Sequence, residues 1–591
     1  MPAMYEFVPQ RADADDAAYL EKLGAAYDKQ DLLQLAKNAA RATLLAALEE
    51  AAHAGDVPEK QPPSFVVEEP ADAQNGDLAA NLALVSAKVF GMPPRKIAEA
   101  IAARLPTVGA FSRVEVAGPG FINLFLSPDW YAAVVMAAVT AGAGYGRTTV
   151  GGGEKINVEF VSANPTGPMH LGNARGGALG DVLAAALEAA GWRVTREFLI
   201  NDAGNQIAKF GKSLAARYLQ LVRGEGAVPF PEDGYQGEDI TQRAREFLAL
   251  EGEGPAALDA AELEQRLVDY ALPRNIQAMK DDLEKYRIHY DVWFSETGLH
   301  ESGAVDKAVA QLKARGATYE KDGAVWYKAT DFGGDKDEVL LRANGVPTYF
   351  AADIAYHVDK FERGFKTAID VWGADHHGHV ARMKGALTAI GLDGDALDIV
   401  LMQFVRLVRG GQQVRMSKRT GKAITLTDLL DEVPIDSARF FFNMREPGSS
   451  IEFDLDLAVA EDSNNPVYYV QYAHARICSI LAALAKEGQA LQQITAFENL
   501  ALLQAAEERA LIRQIGRFPS EIVSAATGRD PARITRYLVE LATLFHKFYT
   551  ACRIKGEAPA LLQARLALAL ATQTTLANGL SMLKVSAPES M

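Results

Sequence analysis

The chain has 591 residues, too many for one hydrophobic core, so roughly three or four domains are expected. Apolar content of 49% and charged content of 23% are ordinary for a globular protein, and no apolar run is long enough to span a membrane. The formal charge of −16 argues weakly against a nucleic-acid partner, but it is unevenly spread: from Ser463 onward 13 Lys+Arg face 9 Asp+Glu, a net of +4, which leaves −20 on the 462 residues before it. An acidic body with a mildly basic tail can still bind RNA through local patches.

Residues 1–30 read as a weakly structured leader with an acidic stretch at 13–16. It has no basic segment followed by an apolar one, so export is not expected and the cytoplasm is. Residues 32–54 are Ala- and Leu-rich and helical, with Gly55 as a stop. Residues 64–128 form a compact α+β segment: 65–67 strand-like, 77–90 and 94–105 helical, 114–116 and 121–126 strands around Gly118-Pro119-Gly120. Gly151-Gly152-Gly153 marks a linker, so the N-terminal α+β domain is placed at 31–150.

Residues 154–191 open the next domain. A β-branched apolar run at 156–161 predicts a buried parallel strand. Asn164-Pro165, Gly167-Pro168 and Gly172 make 162–173 a loop, and from Ala174 the pattern is helical up to a capping Gly191. Strand, Gly-rich loop and helix form the opening unit of a nucleotide-binding α/β domain. Neither a P-loop nor a G-x-G-x-x-G fingerprint is present. Instead His170-Leu171-Gly172-Asn173 stands where the helix begins. A helix N-terminus offers free N–H groups and partial positive charge to a phosphate. His170 and Asn173 add side-chain donors, and Gly172 lets a flat ring approach the backbone. The alternative is a capping turn around a buried His.

A second strand at 198–200 ends in the polar loop Asn201-Asp202-Ala203-Gly204, and ligands of such sheets bind beyond strand ends. Residues 210–345 read as insertions between two halves of the sheet. Tyr349 and Asp353 are four apart and share a face if helical, an arrangement suited to a cationic ligand group; otherwise Asp353 is a solvated surface residue. A strand at 368–373 leads into Ala374-Asp375-His376-His377-Gly378-His379. Three His in four residues invite a metal reading, but the weightier one is a polar loop with one His facing the site, so no metal site is assigned. A hairpin around Gly410-Gly411 leads into the basic loop Arg415-Met416-Ser417-Lys418-Arg419-Thr420-Gly421-Lys422, before a helix at 426–432. Basic runs are usually solvated faces; here the run suits a mobile clamp on a polyphosphate. From Asn464 the pattern is helical, with an aromatic-rich helix at 467–476 and Phe545, Phe548 and Tyr549 at core spacing. Exposed Tyr and Arg there suit stacking on unpaired bases. The two cysteines, Cys478 and Cys552, make no C-x-x-C pair, which disfavours a disulfide framework or Cys-based zinc.

Pro168-Met169-His170-Leu171-Gly172-Asn173 resembles the HIGH signature of class I aminoacyl-tRNA synthetases, and Arg415-Met416-Ser417-Lys418-Arg419 resembles their KMSKS signature. Longer stretches resemble the arginyl-tRNA synthetase branch: 158–168 before the signature, Asn201-Asp202-Ala203-Gly204-Asn205-Gln206, 465–476, and 115–123. The resemblance runs from about residue 40 to the C-terminus and implies a Rossmann-like parallel-sheet catalytic domain at 151–462 and an all-α anticodon-binding domain at 463–591.

It also implies a reaction. ATP and L-arginine, with Mg²⁺, give arginyl-adenylate and pyrophosphate, and the arginyl group then passes to the 3′-terminal adenosine of the cognate tRNA(Arg). Bound tRNA is needed for the first step, and the enzyme is a monomer. By resemblance His170, Gly172 and Asn173 hold ATP with Arg415, Met416, Ser417 and Lys418, while Lys418 stabilises the leaving pyrophosphate. Glu159 and Asp353 serve the guanidinium, Tyr349 packs beside it, Asn164 helps with the α-amino end, and His376 belongs to the same pocket. A guanidinium fork set against carboxylates discriminates against lysine, a point charge. The departures are Arg415 for the first Lys, Arg419 for the final Ser, Asn173 for the last His of HIGH, and Lys584 and Ser590 where the family more often has Gly and Arg. A non-catalytic RNA-binding relative would be expected to have lost His170, Lys418 or the carboxylates, and all are present.

Overall fold

The computed structural model describes residues 31–105, 110–414, 424–492 and 497–591. The leader at 1–30 and the basic loop from Arg415 through Lys418 and Arg419 to residue 423 lie outside the described residues.

A five-stranded parallel sheet organises the middle of the chain. Its order is Leu397–Met402, Thr367–Gly373, Lys155–Glu159, Arg193–Ile200, Val292–Ser295. The chain starts at the centre, builds outward to one side, then returns to build the other. The direction therefore reverses between Lys155–Glu159 and Thr367–Gly373, and a crevice opens beyond their C-terminal ends. Strand Lys155–Glu159 is buried on both faces from Ile156 onward, including polar Asn157 and Glu159, as expected for a central parallel strand. It ends at Glu159 rather than continuing to 161, because Val161 (φ 72°) and Ser162 (φ 39°) turn through the left-handed region. A β-branched residue there is strained, and the strain sits at the mouth of the crevice.

The segment 210–345 is only partly insertion. It contains Val292–Ser295, the edge strand of the main sheet, which is too short to stand out between helical runs. Before it, helices Asn205–Arg223, Glu238–Glu251 and Ala260–Lys285 enclose a small core of their own around Phe210, Leu214, Tyr218, Phe247 and Leu267. After it comes a three-stranded antiparallel sheet of Thr318–Lys321, Ala324–Tyr327 and Glu338–Leu341.

The N-terminal part is helix Leu32–His53 with a four-stranded antiparallel sheet. Within the expected helix at 77–90, Leu78–Ala80 is instead a strand, paired with both Val67–Glu68 and Phe121–Leu126; only Leu82–Phe90 is helical. Asp77 fixes this choice, accepting the Leu126 N–H (2.8 Å) and the Tyr131 hydroxyl (2.5 Å). Four long helices, Pro466–Lys486, Ala506–Thr527, Ala532–Ala551 and Pro559–Met582, form the C-terminal bundle. Phe545 and Phe548 are fully buried in it, as their spacing predicts. Lys584 adopts φ 55°, a left-handed conformation that glycine takes without strain.

Helix Leu171–Ala189 packs under the sheet through small residues. A Cβ on Gly180 would lie 2.2 Å from Cγ of the buried Phe160 ring. Gly180→Ala is therefore expected to destabilise the protein by about 1–3 kcal/mol through overpacking, read as an earlier thermal unfolding transition.

Candidate active site

Two adjoining cavities lie beyond the strand ends and share Val161 and Ser162 as common wall. The larger, about 1020 Å³, is lined by Asn164, Thr166, Pro168, His170 and Asn173 on one side. Residues Tyr235 to Asp239 of the helical insertion and Thr425, Thr427 and Asp428 close it opposite. His170 is the N-cap of helix Leu171–Ala189. Asn173 folds back to cap it: its Oδ1 accepts the His170 N–H (3.0 Å) and lies 2.7 Å from His170 Nδ1. With Oδ1 engaged, the Asn173 amide keeps its NH₂ group as donor, and exposed His170 keeps Nε2 for a ligand. The capping turn is thus real, but the His is exposed rather than buried. A Cβ on Gly172 would meet nothing within 4 Å, so the space beside it is open. Leu426 donates its N–H to Met169 O (2.8 Å) and Thr425 pairs with His170, which brings the chain leaving residues 415–423 against the signature loop.

The smaller cavity, about 380 Å³, is lined by Glu159, Glu296, Tyr349, Asp353, His357 and Asp370, with Trp372, His376 and His379 among its walls. Tyr349 and Asp353 stand on helix Tyr349–Glu362, one turn apart as their spacing predicts. Tyr349 lies over the mouth, where its hydroxyl accepts the Gln206 N–H (3.3 Å). Asn164 lines the larger cavity instead, beyond the common wall. The segment after strand Thr367–Gly373 is not a plain loop: a short turn at Ala374–His376 passes directly into helix His377–Ile390. That register puts His379 Nε2 2.7 Å from Asp353 Oδ2, while the His376 side chain remains 60% exposed at the rim, near Asp375. Of the three histidines at 376–379, His379 is the one that meets Asp353, while His376 borders the same cavity.

A chain of charges runs under this cavity. Lys360, fully buried, donates to Glu159 Oε2 (2.6 Å) and Asp370 Oδ1 (2.8 Å). His357 places Nε2 2.8 Å from Asp370 Oδ2, and Nδ1 2.8 Å from Asp353 O and 3.2 Å from Asp353 Oδ1. Ser162 donates to Glu159 Oε1 (2.7 Å) and accepts the Leu199 N–H (3.1 Å), tying the strained turn to the next strand. Burial alone would discharge His357, but the flanking Asp353 and Asp370 raise it to about 10. The stabilisation this cation supplies is complete below its ordinary value of 6.5 and lost as pH rises through about 10. Burial pushes Asp353 up, and His357 and His379 more than reverse it, leaving that carboxylate well below its usual range. Burial also opposes the Lys360 charge, but Asp370 and Glu159 hold it firmly protonated. Glu296 differs: it is buried, its Oε2 has no hydrogen-bond partner, and burial with the Asp202 and Asp353 charges pushes it up to about 7. Its other oxygen, Oε1, lies 3.9 Å from His300 Nε2; a buried carboxyl oxygen left unpartnered costs stability unless a ligand cation completes it.

Sequence reasoning missed Glu296, His357, Lys360, Asp370 and His379. A signal existed for three of them: Asp353, His357 and Lys360 fall at i, i+4 and i+7 on one helix face, and Asp370 interrupts an otherwise apolar strand. For Glu296, the first residue of a short helix at Glu296–Glu301, there was none, since the strand Val292–Ser295 that leads into it escaped notice.

The comparisons with known proteins fall on this architecture segment by segment. Residues 38–126 match the arginyl tRNA synthetase N terminal domain, 135–447 the catalytic domain of class I (R) tRNA synthetases, and 470–591 the DALR anticodon binding domain. The chain belongs to the arginyl-tRNA synthetase family. Relatives named arginine–tRNA ligase include one from Caldanaerobacter subterraneus, 55% identical over 95% of this chain and 100% of its own length. Another, from Moorella thermoacetica, is 52% identical over 95% of this chain and all of its own. A Campylobacter jejuni structure described as an arginyl tRNA synthetase superposes with a TM-score of 0.71 at 32% identity, over 79% of this chain and 100% of that one. Thermus thermophilus arginyl-tRNA synthetase shares the fold, with a TM-score of 0.70 at 24% identity over 92% and 99%. The activity of this arginyl-tRNA synthetase family member is the ATP-dependent ligation of arginine to tRNA. Among the described residues no helix is long and apolar enough to cross a membrane.

Proposed function

We propose that the smaller cavity holds the arginine side chain and the larger one ATP, with the arginine carboxylate delivered to the α-phosphorus near the common wall at Ser162. Asp353 and Glu296 then face the guanidinium, Glu159 backs them, Tyr349 covers the mouth, and His376 stands at the rim. Asn164, just beyond the wall, serves the α-amino end. His170 and Asn173 meet the phosphates beside the open space at Gly172. Arg415, Met416, Ser417 and Lys418 also bind ATP, and Lys418 stabilises the departing pyrophosphate. The displacement needs no side-chain nucleophile, because the substrate carboxylate attacks; the protein orients the reactants and neutralises developing charge. Mg²⁺ arrives as the counter-ion of the ATP phosphates. Among the described residues no group of three or more His, Cys, Asp or Glu is arranged to hold a metal, so the phosphates themselves would supply its ligands. The arginyl group then passes to the 3′ end of tRNA(Arg), whose anticodon side meets the basic C-terminal bundle. Bound tRNA is required for adenylation, and the enzyme works as a cytoplasmic monomer.

The observation that carries the arginine assignment is Glu296 Oε2, a buried acceptor without a partner beside Asp353. A guanidinium binds the ionised form, so the KM for arginine is expected to fall as pH rises through about 7. Glu296→Gln should raise that KM about tenfold or more, flatten this part of the profile, and leave the KM for ATP unchanged. An arginine KM untouched by the substitution would remove Glu296 from the pocket.

A further inference from the structure

We propose that Lys360 and His357 are positioning residues for arginine selection: together they hold the pocket's carboxylates in one fixed, part-neutralised array that accepts a guanidinium and refuses its neutral isostere. This rests on the placement of arginine in the smaller cavity.

The geometry gives three of the pocket's four carboxylates a clamp on both oxygens; Glu296, with Oε2 unpartnered, is the fourth. Glu159 is held by Ser162 and Lys360, Asp370 by Lys360 and His357, and Asp353 by His357 and His379. Lys360 contributes nothing to the cavity wall, so it acts through Glu159 and Asp370 rather than by touching substrate. Its outer side is closed by the Tyr356 ring, 4.4 Å from Nζ, and Tyr356 in turn donates its hydroxyl to Glu197 (2.7 Å). His357 faces carboxylates through both ring nitrogens, so both nitrogens carry protons and the ring is a cation.

Charge explains why two cations are needed. Glu159, Asp353, Asp370 and Glu296 all border one cavity. Four crowded carboxylates cannot all stay ionised; like charges drive some to take up protons, and a protonated carboxyl turns a donor toward a guanidinium instead of an acceptor. Lys360 and His357 offset two of the four. The remaining negative charge is met by a ligand that brings its own positive charge. Citrulline has the shape of arginine but an uncharged urea, and leaves that charge buried and uncompensated. The pinned orientation of Asp353 adds a geometric demand, since its two oxygens present a fixed plane to a planar fork.

The test is the full chain, assayed for aminoacylation of tRNA with arginine, with citrulline as competitor. Variants are His357→Gln, which keeps a hydrogen-bonding group but no charge, Lys360→Met, and Lys360→Arg, which keeps the charge. His357→Gln and Lys360→Met are expected to raise the arginine KM about tenfold or more while the citrulline Ki stays within about twofold, so discrimination falls about tenfold. The KM for ATP should hold, and Lys360→Arg should recover much of the loss. Arginine KM and discrimination unchanged in folded His357→Gln would overturn the proposal. So would a parallel loss for arginine and ATP with no recovery in Lys360→Arg, the pattern of a merely structural pair. Asp353→Asn and Glu296→Gln run beside them separate the two levels. If these raise the arginine KM and the Lys360 and His357 variants do not, only the present inference falls; if none does, the arginine pocket falls with it.

Discussion

Asp353→Asn should reduce kcat/KM for arginine by a factor of about 10² to 10³, with the KM for ATP little changed. Asn keeps the size of the side chain but loses the charge and one of two acceptor oxygens, so a bidentate charged contact becomes at best a single neutral one. The loss is compounded inside the protein. His357 and His379 both direct nitrogens at this carboxylate, 3.2 Å and 2.7 Å away, and neither finds the same partner in an amide. A factor of 10² to 10³ is about 2.7 to 4.1 kcal/mol, inside the about 2–5 kcal/mol that truncating one partner of a buried, hydrogen-bonded charge pair costs in binding. Steady-state kinetics with arginine and ATP varied in turn measure it; a loss confined to ATP would contradict the pocket assignment.

Arg175 carries the largest expected effect on the scaffold. It lies on the signature helix five residues after His170 and is fully buried. Its guanidinium donates to Gln403 O (2.6 Å), Glu446 O (3.0 Å) and Ser449 O (2.8 Å), and among the described residues no carboxylate pairs with it. Burial without a counter-charge pulls it down to about 10, so it remains charged at neutral pH. Arg175→Met relieves that desolvation but leaves the Gln403 and Ser449 carbonyls without that donor, while Glu446 O keeps the Ser449 N–H (3.0 Å); at about 1 kcal/mol each the net cost is about 2 kcal/mol. The carbonyls belong to the segments flanking strands Val405–Arg409 and Ile451–Asp454, so the substitution also loosens the hairpin base from the nucleotide loop. An earlier unfolding transition and weaker ATP binding should appear together. Arg175→Lys keeps a charge but a single point donor, and should recover only part of both.

The legibility of this fold in its sequence divided along physical lines. Parallel strands buried on both faces read directly as apolar runs, and the strand–loop–helix unit around His170 was found from its punctuation by Gly and Pro. The helix face of Tyr349 and Asp353 followed from a spacing of four. What escaped were elements whose identity depends on distant partners. Leu78–Ala80 is a strand because two other strands and the Asp77 carboxylate hold it there, although its local pattern continues into a helix. Val292–Ser295 is too short to assert itself against its neighbours. At the site, residue types marked single candidates, but which acids share a cation is a tertiary fact. His379 reaches Asp353 and His376 stays at the rim, because a helix starts at His377 and sets the direction of every later side chain. Glu296 acquires meaning only when burial leaves its Oε2 without a hydrogen-bond partner.

The most direct measurement is arginine-dependent ATP–pyrophosphate exchange, run with and without total tRNA and across the natural amino acids. Exchange that requires both arginine and tRNA, and that citrulline and lysine do not support, is the predicted result. Exchange with arginine alone would keep the adenylation site and remove the tRNA requirement. No arginine-dependent exchange from folded protein under either condition would contradict the assignment of the two cavities.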